Sequence, residues 1–119
     1  MNDPNVVEIT DANFDQQVLR APEAVLVDFT AAWCPPCRAT EPHVAALAAA
    51  YAGRARVGRC DADGNQNLVA SLDVRALPTF LVFKGGAVVG QIVGAVPRAK
   101  LQALLDKAIA ALQESTGAR

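Results

Sequence analysis

Three things are missing from this 119-residue chain, and each removes a class of function. There is no surplus of charge: Lys and Arg number 11 against 12 Asp and Glu, a formal net charge of -1. Nothing in that balance draws the chain to nucleic acid or to an anionic membrane surface. There is no apolar stretch approaching the roughly 20 residues that span a bilayer. The start, MNDPNVVEIT, also lacks the positive charge and long apolar run of a secretion signal, and with Met1 at its head the expected setting is cytoplasmic. Nor is there an even number of cysteines. Cys34, Cys37 and Cys60 do not make the disulfide framework of a small secreted domain. With 52% hydrophobic residues the chain does not need one; residues 1–119 form a single domain able to bury a real core.

What is present reads as alternating strands and helices. VVEI (6–9) is a short apolar strand, and TDANFDQQVLRA (10–21) is a helix with Asp11 as its cap and Phe14, Val18 and Leu19 at helical spacing. AVLVDF (24–29) is apolar almost throughout, as in a central strand covered on both faces. An Ala-rich helix follows from Cys34 to Ala52, with Val44, Leu47, Ala48 and Tyr51 on one face, Gly53 at its end and a kink near Thr40 caused by Pro42. Then come a strand (55–62), a short helix (65–72), and strands 79–86 and 87–94 joined through Gly85-Gly86. From Pro97 onward, Leu101, Leu104, Leu105, Ala108, Ile109 and Leu112 form an apolar stripe, and residues beyond Glu114 should fray. The order β-α-β-α-β-α-β-β-α predicts a mixed β-sheet with helices on both faces.

Within this order, VDFTAAWCPPC (27–37) joins the central strand to a helix. A helix start presents unpaired N–H groups and the positive end of the macrodipole, which favour a thiolate; Cys34 is therefore the candidate nucleophile. Cys37, one turn deeper, suits a resolving thiol. Two other readings stand beside this one. The pair with Cys60 and His43 makes four zinc ligands, although the spacing is poor and His43 reads more simply as an exposed helix residue. A purely structural disulfide is the other, although a four-residue loop stabilises little by chain entropy.

VDFTAAWCPPC, with LPTFLVFKGG downstream and VGA after the next strand, resembles the thioredoxin family over essentially the whole chain. The resemblance implies a thioredoxin-like α/β fold and a general protein-disulfide reductase. Cys34 attacks, Cys37 closes the disulfide, Asp28 is a buried carboxylate exchanging protons with Cys37, and Pro78 is a cis-proline facing the dithiol. Trp33, Pro36, Leu77, Val93 and Gly94 are then a flat apolar surface, and the backbone of Ala76 and Leu77 accepts an extended substrate segment. No metal or bound cofactor is implied. The implied partners are disulfide-containing proteins and a flavoprotein thioredoxin reductase that supplies electrons from NADPH, the chain itself acting as a monomer. The residues agree with the role of Asp28, since burying a carboxylate is costly and raises its pKa. The plainer alternative is a strand-end Asp in contact with water. Arg59 matches a lysine of the family near that acid and is expected to hold it ionised more firmly.

The sequence departs from the family at several points. Pro35 stands where a Gly is usual, leaving no N–H between the cysteines; Cys37 and Arg38 become the nearest donors. The expectation is a less stabilised Cys34 thiolate and a reductant at least as strong as its relatives, with proline rigidity an opposing effect. Thr30 replaces a common Trp, and Ala32 an acidic residue. CPPCR also occurs in tryparedoxins and nucleoredoxins, which carry insertions not seen here. Cys60 reads as a small buried hydrophobe. Two alternatives to a reductase are an oxidant or isomerase and a non-enzymatic docking or holdase module.

Overall fold

Seven consecutive residues of AVLVDFT are buried, and this strand lies at the middle of the sheet. The structure is a computed structural model describing the backbone of residues 3–117 and the side chains of residues 3–111. Its strands are β1 (Val6–Glu8), β2 (Ala24–Thr30), β3 (Ala55–Asp61), β4 (Thr79–Lys84) and β5 (Ala87–Val93), ordered β1-β3-β2-β4-β5. β3 is parallel to β1 and β2, while β4 is antiparallel to β2 and β5. This is the expected mixed sheet.

Strand alternation sorts β2 into two cores. Ala24 and Leu26 face α1 (Pro35–Ala50) and α3 (Arg98–Gly117), packing with Val44, Leu47, Leu101 and Leu105. Val25, Val27 and Phe29 face the other side, packing with Phe14 and Val18 and with Leu68 of α2 (Gln66–Ser71). Tyr51, just past α1, donates a short hydrogen bond to Asp106 on α3 and so ties those two helices together. No helix among the described residues is long and apolar enough to cross a membrane.

The helix expected over 10–21 is reduced to a π-helical turn, Asp15–Leu19. Its entry is fixed by Thr10 and Asn13, whose side chains each accept the other's backbone N–H. Asp11 is not its cap. The Asp11 carboxylate accepts the N–H of Leu68, near the start of α2 and 57 residues away. A long-range partner has taken the side chain that local spacing assigned to the nearer helix.

Helix α1 runs unbroken across Pro42, whose side is exposed to solvent, and ends at Ala50, before Gly53 at φ 87°. The Gly85-Gly86 turn has φ of 60° and 83°, the left-handed pair a tight hairpin requires. The closing helix extends through Gly117, past Glu114 where fraying was expected; residues 118 and 119, and the side chain of Leu112, lie outside the described residues.

Candidate active site

Cys34 stands between the end of β2 and the start of α1, with extended backbone at φ -100° and ψ 103°. Its Sγ accepts the Cys37 N–H at 3.3 Å and its carbonyl accepts the Arg38 N–H at 3.2 Å. It is the cap of α1. Pro35 and Pro36 take the first two helical positions, where the helix itself needs no N–H. A cap side chain accepts from the second or third position. Pro36 therefore removes one donor and Cys37 supplies the other, whereas Pro35 removes a donor that the cap does not use. At the cap, the donor lost to Cys34 Sγ is therefore that of Pro36 rather than that of Pro35.

Cys34 and Cys37 are joined as a disulfide, with Cα atoms 5.3 Å apart. Both are buried, Cys34 at 3% exposure and Cys37 at 0%. The pair packs with Ala31 and Leu77. Cys60 lies in the core on the far side of the sheet, and His43 is half-buried on α1; neither joins the cysteine pair. Cys60 is a buried hydrophobe, as expected. Burial pushes its thiol up to about 12, with Asp11, Glu8, Asp61 and Asp28 adding to the effect.

The loop before β4 reaches the disulfide. Cys34 Sγ lies 3.8 Å from the Leu77 carbonyl oxygen, and the Leu77-Pro78 bond is cis, as the resemblance implies. Thr79 Oγ1 donates to the Ala76 carbonyl at 2.6 Å, fixing the loop's shape. Gly94 N–H donates to the Pro78 carbonyl at 2.8 Å from a φ of 100°, so the loop after β5 is held beside the first. Val93 pairs with Thr79 and is 53% exposed. Trp33, 65% exposed, joins Ala76 and Leu77 in lining a shallow groove of about 290 Å³. Pro36 is exposed at the helix start.

Several contributors escaped the sequence reading. The Trp33 indole Nε1 donates to Asp63 Oδ2 at 2.7 Å, which orients the ring, and Arg38 Nη1 donates to the Ala32 carbonyl at 2.6 Å. Ala62, Val69, Val74 and Arg75 complete the wall of the groove. An unremarkable Asp 30 residues from the Trp carries no local signal. Only the return of β3 beside β2 brings it there.

Asp28 is 0% exposed and neither carboxylate oxygen has a hydrogen-bond partner in the described structure. It is not a wetted strand-end residue. Alternation puts it on the face of Leu26, the face covered by α1, and in register with Arg59 on β3. Burial raises its pKa from 3.8 to about 7; Arg59 opposes the rise and Glu41 adds to it. Arg59 favours the ionised form, the direction expected of it, but desolvation outweighs the guanidinium, which also pairs with Glu8 at 3.8 Å. A carboxyl titrating near neutrality can both take and return a proton.

Comparisons with known proteins agree with this arrangement. The thioredoxin family profile matches residues 5–107. A thioredoxin of Chlorobaculum thiosulfatiphilum is 41% identical over 102 residues, covering 86% of this chain and 94% of that protein. A thioredoxin of Porphyra purpurea is 40% identical over 105 residues, with 88% and 98% covered. Thioredoxin C-2 of Corynebacterium nephridii is 42% identical over 104 residues, with 87% and 96% covered. A redox-active cysteine pair at the head of α1, set in a sheet of this order and matched along nearly its full length by these relatives, makes the chain a member of the thioredoxin family and a protein-disulfide oxidoreductase.

Proposed function

We propose that the chain is a general cytoplasmic reductant of protein disulfides, working as a monomer. The observation that carries this reading is the Cys34–Cys37 disulfide flanked by the exposed Trp33 and the Leu77 loop. In the reduced protein, the Cys34 thiolate attacks one sulfur of a target disulfide, forming a mixed disulfide and releasing the other target sulfur as a thiolate. Cys37 then gives its proton to Asp28, and its sulfur attacks Cys34 Sγ. The Cys34–Cys37 bond forms, the Cys34–target bond breaks, and the second target sulfur leaves as a thiolate that takes up a proton. The target gains two electrons and the cysteine pair loses them.

Trp33, Pro36, Val93 and Gly94 present an apolar surface with few charges to read, suited to many protein partners, while the backbone of Ala76 and Leu77 receives the target segment. No bound cofactor is needed, and electrons come from NADPH through a thioredoxin reductase. A free buried Cys60 suits a reducing compartment.

The test is the equilibrium reduction potential of the pair, by titration against glutathione with thiol labelling as the readout. A value near or below about -270 mV supports the reductant, and one near about -120 to -180 mV overturns it in favour of an oxidant or isomerase. A Cys34→Ser, Cys37→Ser variant that still protects clients from aggregation, with no wild-type turnover to lose, would make the chain a docking module instead.

A further inference from the structure

The buried Asp28 lies beside a polar pocket that the sequence motifs do not mention. Glu8, Thr30, Ala31, Glu41, Arg59 and Asp61 line a hollow of about 200 Å³ at the carboxyl ends of β2 and β3. Thr30 is two residues beyond Asp28 on the same strand, hence on the same face, and Arg59 is the register partner of Asp28. Glu41 comes from α1, one turn after Cys37. The buried stripe of α1 runs through Cys37, Thr40, Val44 and Leu47, so Glu41 borders the helix face that covers Asp28.

The pocket gathers charges from three elements. β1 brings Glu8, β3 brings Arg59 and Asp61, and α1 brings Glu41. Arg59 is 15% exposed and is drawn toward Glu8 at 3.8 Å, so its charge is shared. Glu41 and Arg59 act on Asp28 with opposite signs. Burial is the largest influence on the ionisation of Asp28, and these two neighbouring charges come next.

We propose that Glu41 is a positioning residue of the resolving step, the counterweight to Arg59 across the pocket beside Asp28, and that it keeps Asp28 able to hold the proton taken from Cys37. This rests on the reading of Asp28 as the proton acceptor of Cys37. With Arg59 unopposed, Asp28 would be a weaker base and would accept the Cys37 proton less readily; with Glu41 unopposed, it would already be protonated at neutral pH. The pair places its titration between these limits. Glu41 touches neither cysteine in this scheme and acts through Asp28 alone.

The test follows the Asp28 carboxyl carbon by NMR across its titration in the oxidised full chain, together with the pH profile of target release from a mixed disulfide. Four variants are compared: Glu41→Gln, Glu41→Asp, Arg59→Gln, and Glu41→Gln with Arg59→Gln. The expected result is a midpoint moved to lower pH in Glu41→Gln and to higher pH in Arg59→Gln. The double variant returns toward the wild-type value, and Glu41→Asp retains it. The limb of the release profile moves with the midpoint to lower pH in Glu41→Gln, and above the midpoint, where Asp28 is ionised in both proteins, Glu41→Gln releases target about twofold or more slowly than wild type because its Asp28 is the weaker base. A Glu41→Gln midpoint that stays put or rises overturns the proposal. Asp28→Asn separates the two readings: if it leaves the release profile unchanged, Asp28 is not the acceptor, whereas if it removes the limb while Glu41→Gln does not move it, only the role of Glu41 fails.

Discussion

Asp28 and Cys60 lie on adjoining central strands, both at 0% exposure, both raised in pKa chiefly by burial. One adjoins a polar pocket on the α1 side of the sheet, while the other is sealed on the opposite face among Phe29, Leu68 and other apolar side chains. Desolvation brings Asp28 to about 7, where it can exchange protons at neutral pH. The same effect takes Cys60 to about 12, where the thiolate is absent. Burial therefore perturbs both groups, and what differs is whether the perturbed pKa falls within the working range beside a reacting partner.

The most severe way to break this contrast is to remove the chemistry that Asp28 serves. Cys34→Ser is expected to lower the rate of insulin-disulfide reduction by about 10³-fold or more, since no nucleophile remains. Cys37→Ser should instead accumulate a mixed disulfide with the target, detectable by mass.

Replacing Asp28 by Asn should slow target release by about 10²-fold at neutral pH, read in single-turnover experiments. The same variant tests the linkage. Because the folded-state pKa of about 7 exceeds the starting value of 3.8, the native protein holds this proton more tightly than the unfolded chain. The contribution to stability is complete below about pH 4 and is lost as pH rises through about 7, a loss of about 4 kcal/mol. Denaturant melts of the oxidised wild type should show that fall, and Asp28→Asn should flatten it.

Cys60→Ala sharpens the comparison from the other side. It should cost about 1 kcal/mol in denaturant melts by leaving a small void, and should change turnover by less than about twofold. In the native protein a thiol reagent should leave Cys60 unlabelled until the chain unfolds.

The smallest effect is expected at Pro35. As the first helical residue it withholds no donor from Cys34 Sγ, so Pro35→Gly should shift the reduction potential by less than about 30 mV and leave the Cys34 pKa close to wild type. A large drop in that pKa would return the missing N–H to the explanation.

The central strand, the apolar face of α1 and the Gly85-Gly86 hairpin could be read from local patterns because each depends on neighbours within a turn or a few strand residues. The cysteine pair and the cis Leu77-Pro78 bond were legible through the family motifs that carry them. The segment 10–21 was misread because Asp11 serves a helix far along the chain, a competition that spacing does not record. Asp63 beside Trp33 and Glu41 near Asp28 were missed for a related reason: an ordinary acidic residue acquires meaning only from what is folded against it.

The amino-acid sequence by itself determined the order of elements, the redox pair at a helix start, and the placing of a carboxylate within an apolar strand. Those follow from periodicity, capping and motif, all properties of near neighbours. Only the tertiary structure decided that Arg59 would lose to desolvation at Asp28, that Cys60 would face away from the dithiol, and that Glu41 would line a pocket beside the buried carboxyl. Electrostatic balance in a partly dry interior depends on distance, burial and the sign of every charge nearby, and those are fixed only when β1, β3 and α1 close around the central strand.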